Sequence, residues 1–252
     1  MTRTRSRAAG LLIGIATLLF AGSVGMSLFA QAGPGSNPAL AQHMREHFQR
    51  VGEVENAVIR GDLDAVREPA TWLASHDSSI ELDRVSASQV ATLKQAARKA
   101  AEAKDIPTAA TATAQMIAAC GDCHRAAGVV PAPQKPAASG TGGSVGHMLK
   151  HKAATDLLSD GLIVPSDAMW KQGADGLKEA PLRPAQLPRD QKLTPQIAAA
   201  EGAIHDLATK AAQANEQAAR VDVYGKLIGT CAECHGLHGR IWGPGVPKEP
   251  GK

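Results

Sequence analysis

Aromatic residues are scarce in this chain: three Trp, one Tyr and three Phe, 3% of 252 residues. Cores are packed to near-crystalline density, so alanine-rich segments with so few rings need some other bulky body to fill them. Cysteine is equally sparse. All four cysteines lie in two pentapeptides, Cys120-Gly121-Asp122-Cys123-His124 and Cys231-Ala232-Glu233-Cys234-His235, so none remains for a structural disulfide and a disulfide-stapled secreted domain is excluded. Runs of alternating strand residues are missing, as are a phosphate loop, a nucleophilic triad and a paired-carboxylate arrangement. The formal charge of +3 also means little, because the only charges before Gly33 are Arg3, Arg5 and Arg7 and the remainder is neutral. No basic stripe marks a nucleic-acid partner.

The two pentapeptides share the form Cys-x-x-Cys-His. On a helix, positions i, i+3 and i+4 lie on one face. Two thiols can therefore add to the two vinyl groups of a porphyrin while the adjacent imidazole, a common ligand of haem iron, reaches the metal. The form reads as a site of covalent c-type haem attachment. Its repetition predicts two covalently attached haems, one held by Cys120, Cys123 and His124 and one by Cys231, Cys234 and His235, with the two histidines as proximal iron ligands. A zinc ribbon brings its cysteine pairs much closer than the 111 residues that separate these. A redox Cys-x-x-Cys pair belongs near a βαβ pattern that this chain lacks.

The N-terminus agrees with export. Arg3, Arg5 and Arg7 precede an apolar run from Ala8 to Ala30, and Ala30-Gln31-Ala32 fits a small-residue cleavage site. Residues 1–32 are expected to be a secretory signal. The alternative is an uncleaved anchor that associates with the membrane, since the run approaches spanning length. Either way the expected location is periplasmic.

The chain is built twice. His43-Met44-Arg45-Glu46-His47 recurs 104 residues later as His147-Met148-Leu149-Lys150-His151, so each unit opens with His-Met-x-x-His and closes with Cys-x-x-Cys-His. Between them, residues 128–143 are rich in Pro, Gly and Ser and read as a linker. The expected units span 33–127 and 144–240, with a disordered tail over 241–252. Helical spacing dominates both. Four helices are expected in the first unit: from Pro38 to a stop at Gly61, from an Asp62 cap through Leu73, from about Ser88 through Ala100, and from an Asp105 cap to His124. The second unit repeats this near Val145–Leu158 and Ser166–Leu177, from Thr194-Pro195, and through a last helix ending at His235, with a proline-rich loop between Pro181 and Pro188. The fold class is all-α, two tandem four-helix bundles with a covalent haem near the end of each last helix.

A four-helix bundle with Cys-x-x-Cys-His at the end of its last helix and a first helix crossing the opposite haem face resembles the cytochrome c-prime family and its low-spin relatives. The late pentapeptides and the Met44-x-x-His47-Phe48 stretch carry the resemblance. It implies an exported haem protein that transfers electrons between redox partner proteins or, where the distal face is empty, binds a small gas.

The sixth ligand decides between these functions. Met44 and Met148 are candidate distal thioethers, which raise a haem potential; His47 and His151 are the alternative distal ligands and lower it. The methionines lie on the apolar stripe and are preferred. A one-turn shift of the family comparison puts Ala41 or Val145 there instead and leaves an open iron. That state would suit nitric oxide or carbon monoxide binding, or a peroxidase-like reaction. Trp72 and Trp170 are expected to be core residues, and His76 and His205 to be solvated. Electron transfer without catalysis demands least beyond the haems.

Overall fold

The computed structural model describes residues 38–76, 87–131, 143–178, 183–187 and 193–237. The expected signal, the tail and most of the linker lie outside them. Helices α1 (Pro38–Ile59), α2 (Leu63–Ser75), α3 (Ala87–Glu102), α4 (Ile106–Ala127), α5 (Gly143–Ile163), α6 (Asp167–Leu177), α7 (Pro195–Gln213) and α8 (Gln217–Leu237) carry the fold, with one 3₁₀ turn at Pro184–Gln186. No strand occurs among the described residues. The protein is all-α there, as expected.

Local chemistry sets the helix ends. The side chain of Asp62 accepts from the Ala65 N–H at 3.1 Å and that of Asp105 from Thr108 at 2.7 Å. Ser166 and Thr194 cap α6 and α7 in the same way. Each cap satisfies a donor that the helix itself leaves open. At the far end of α1, Gly61 takes φ +70°, a conformation that costs glycine little. There Gly61 N–H bonds Val58 O at 2.8 Å and Asp62 N–H bonds Ala57 O at 2.9 Å. This pattern closes the helix but gives the Ile59 carbonyl no helical donor. Helix α5 ends alike: Ser166 N–H bonds Gly161 O at 2.9 Å, Pro165 has no N–H to give, and the Ile163 carbonyl is left over.

Helix α5 runs five residues beyond the expected stop at Leu158. Glycine at 161 is a packing requirement here, because a Cβ would lie 2.8 Å from the backbone nitrogen of Trp170, so α6 can cross only over a bare backbone. In the added turn Ser159 is buried, and its Oγ donates to Glu55 Oε2 at 2.9 Å.

Consecutive helices pack on one another from α1 to α4 and from α5 to α8, and α4 lies along α8. The described helices belong to one compact unit. The α4–α8 contact is close because small residues face each other; a Cβ on Gly225 would sit 3.2 Å from the Thr111 Cα, and one on Gly229 3.6 Å from the Ala110 Cβ. Val51, Val54, Val58, Ile117, Leu227 and Ile228 are almost fully buried, each stabilising the fold by roughly 1.5–3 kcal/mol. Among the described residues no helix is long and apolar enough to cross a membrane.

Candidate functional site

The end of α4 and the N-terminal half of α1 enclose a cavity of about 350 Å³. Met44 and His47 line it from α1, Cys120, Cys123 and His124 from α4, and Val90 and Leu93 from α3. Sequence positions 76 residues apart thus meet across one space. The Nε2 of His47 is buried with no hydrogen-bond partner, an arrangement that costs about 1–3 kcal/mol unless something else binds the nitrogen. Burial first, then the neighbouring His43 and His76, pushes the His47 pKa down to about 4, so the ring is neutral near pH 7 and its lone pair is available.

His76 is not the solvated residue expected from its place at a helix end. Its ring stacks on Trp72 at 4.0 Å between centroids, and its Nε2 lies 3.4 Å from His43 Nδ1. Trp72 is half-buried beside it, whereas Trp170 is a core residue whose Nε1–H donates to Ala211 O at 2.8 Å. His43, His47 and His76 bring three donor atoms within 4.8 Å of one another, close enough to hold a metal ion.

The second half places a different set at the equivalent position. His147, His151 and Glu201 are all buried and their donor atoms also fall within 4.8 Å. His147 Nε2 lies 2.6 Å from Glu201 Oε1, and His205 Nε2 lies 3.3 Å from the same oxygen. His205 was expected in solvent; its bond to a buried carboxylate holds it mostly inside, with its side chain 17% exposed. Glu201 escaped the sequence reading, and its only signal was the four-residue spacing to His205 on α7. Met148 is half-buried, and Val145 is turned outward at 63% exposure, which removes it as a lining for a distal face.

The cysteines sit in low-dielectric surroundings. Burial pushes the Cys120 and Cys231 thiols up to about 12 and Cys234 up to about 11, with Cys123, Glu55 and Glu201 adding smaller electrostatic contributions. Neutral sulfur is favoured there over a reactive thiolate. The two motif histidines are oriented alike. His124 Nδ1–H donates to Ile163 O at 2.9 Å, and His235 Nδ1–H donates to Ile59 O at 2.7 Å. Each bond fixes the tautomer and leaves Nε2 as the nitrogen able to bind a metal. Compared with family models, with curated proteins and with solved structures, the chain matches none.

Proposed function

We propose that the chain is an exported dihaem c-type cytochrome that carries electrons between redox partner proteins, built as two four-helix units with one haem in each. The observation that carries this reading is the cavity in which the Cys120-x-x-Cys123-His124 face of α4 meets His47, whose buried Nε2 has no hydrogen-bond partner. These residues fit a haem: two neutral sulfurs three apart on one helix face for thioether bonds, an imidazole with Nε2 free on the same face, and a second imidazole across an apolar space. Bound there, the haem supplies a one-electron iron couple.

The chain's own residues then tune that couple. His124 and His235 are the proximal ligands. Between Met44 and His47, which share the cavity, His47 is the better distal ligand, since its buried nitrogen lacks any other partner and a thioether incurs no comparable penalty. His151, its counterpart 104 residues on and itself buried, takes the same role in the second half. The preference for the methionines read from the apolar stripe gives way on this ground. A peroxidase-like role for the second half is the second reading, favoured by the buried Glu201–His147 pair, which has the form of an acid–base group.

The test is the visible spectrum of the purified full-length protein with its pyridine haemochrome. Two c-type haems per chain, low-spin and unresponsive to carbon monoxide when reduced, are expected, falling to one haem per chain in the Cys120→Ala/Cys123→Ala variant. Absence of haem c would overturn the proposal, and carbon monoxide binding to one haem in the parent protein would favour the second reading.

A further inference from the structure

Each motif histidine bonds to a helix of the other half. His124, on α4, donates to the carbonyl that ends α5; His235, on α8, donates to the carbonyl that ends α1. The acceptors Ile59 and Ile163 are themselves 104 residues apart, so the two bonds are equivalents under the internal repeat, and the repeat exchanges their partners. We propose that each half of the chain holds and polarises the proximal ligand of the other half's haem, so that the potential of each iron is set by a helix of the opposite repeat. This inference rests on the dihaem reading above and adds to it the element that regulates each site.

Three features of the backbone make the exchange specific. First, the accepting carbonyls are the ones the helix-ending patterns leave without helical donors: Gly61 and Asp62 satisfy Val58 and Ala57, and Ser166 satisfies Gly161. An imidazole N–H from elsewhere completes each helix end. Second, the helix C-terminus carries the negative end of the peptide dipole. An Nδ1–H directed at it gains anionic character, which makes Nε2 a stronger donor and favours the oxidised iron. Third, the approach is built in at the second position of each pentapeptide. A Cβ on Gly121 would lie 2.0 Å from Leu162 O, so α5 can reach His124 only over glycine. In the second motif the same position is Ala232, and it is Gly61 that faces it, at 3.7 Å from a built Cβ to Ala232 O. The 3.7 Å contact leaves room for a Cβ, so what the second crossing needs from Gly61 is its φ of +70°, which shapes the α1 end that presents the Ile59 carbonyl.

The experiment measures both reduction potentials in the full-length holoprotein by spectroelectrochemical titration, with proton NMR of the two Nδ1–H signals. The variants are Gly121→Ala and Gly61→Ala. Gly121→Ala only makes the first motif resemble the second at that position, so it leaves the attachment chemistry intact. It is expected to push the end of α5 away and raise the reduction equilibrium constant of haem 1 by about tenfold, or ~59 mV for one electron. Gly61→Ala lies in the first half yet is expected to raise that of haem 2, and to speed solvent exchange of the His235 Nδ1–H while His124 is unchanged. The Cys120→Ala/Cys123→Ala background, which retains haem 2 alone, assigns the shift; where that background does not fold, the NMR signals make the assignment. A Gly61→Ala shift confined to haem 1, or two unmoved potentials with unchanged Nδ1–H exchange, would overturn the inference. Failure of the dihaem reading would show separately, as a protein with no pyridine haemochrome.

Discussion

The two halves share one scaffold and differ at one face. In both, a first helix carries two imidazoles four residues apart, and the last helix ends in two cysteines and a histidine tied to a foreign carbonyl. On the first half's inner face the third group is His76, and a cavity remains. In the second the third group is Glu201, bonded to His147 and His205. Three imidazoles make up the first site, while the second carries a buried carboxylate whose negative charge opposes ionisation of the nearby Cys231 and Cys234 thiols. The lesson is that repetition preserved how the motif histidines are held, which depends on backbone carbonyls at two helix ends, and let the facing side chains diverge. On the dihaem reading the second haem has the lower potential, because nearby negative charge stabilises ferric iron.

Breaking the shared feature should give the largest effect. On the dihaem reading His47→Ala should open the first iron, with complete conversion of one haem to a high-spin, carbon-monoxide-binding form, and His151→Ala should do so for the other; optical titration with carbon monoxide counts the open sites. If either variant leaves both haems low-spin, its histidine is not a ligand and Met44 or Met148 becomes the better assignment.

The next prediction concerns the residues where the halves meet. Glu55 and Ser159, equivalents under the 104-residue repeat, are hydrogen-bonded to each other in the interior. Burial raises the Glu55 carboxyl to about 7, opposed most by Lys152. A carboxyl raised in the folded state is protonated there while the unfolded chain has released its proton. Its stabilising contribution is therefore complete below pH 4.5 and is lost as pH rises through 7. Stability should fall by on the order of 3 kcal/mol between pH 4.5 and 8. Glu55→Gln should flatten that slope, as read by chemical denaturation at several pH values; an unchanged slope would assign it to other groups.

Removing the distal difference is expected to have a smaller effect. On the dihaem reading Glu201→Gln takes away the carboxylate of the second site and should raise the potential of haem 2 by ~59 mV, tenfold in its reduction equilibrium, leaving haem 1 where it was. A shift of both would mean that the carboxylate acts on the whole molecule and that the contrast between the halves is not local. Smallest are the equivalent helix caps: Asp62→Ala and Ser166→Ala should each cost about 1 kcal/mol in denaturant unfolding, since each removes one satisfied N–H at the start of the second helix of its half.

Much of the fold is legible in the residues. Pro38, Asp62, Asp105, Ser166 and Thr194-Pro195 mark helix starts through local backbone chemistry, and Gly61 marks a stop for the same reason. Helix α5 extends past the expected Leu158 to Ile163, and Gly161 within that extension is the crossing point for Trp170, a tertiary role that local spacing does not show. At the site, the motif cysteines and histidines and the His-Met-x-x-His stretches were visible, being periodic along single helices. His76, Glu201 and His205 were not, because they reach the two sites from the end of α2 and from α7, not from the helices that carry the motifs, and nothing local distinguishes a convergent polar side chain from a solvated one.

Sequence alone determined what depends on neighbours in the chain: the helices and most of their ends, the internal repeat, and the faces on which the thiols and imidazoles lie. Tertiary structure alone decided which groups oppose those faces and which carbonyls hold the motif histidines. The acceptors are backbone atoms of Ile59 and Ile163, chemically the same in every residue, so no side chain could announce them. They become specific only where two helix ends leave a carbonyl unsatisfied and a helix of the opposite repeat is packed closely enough to use it.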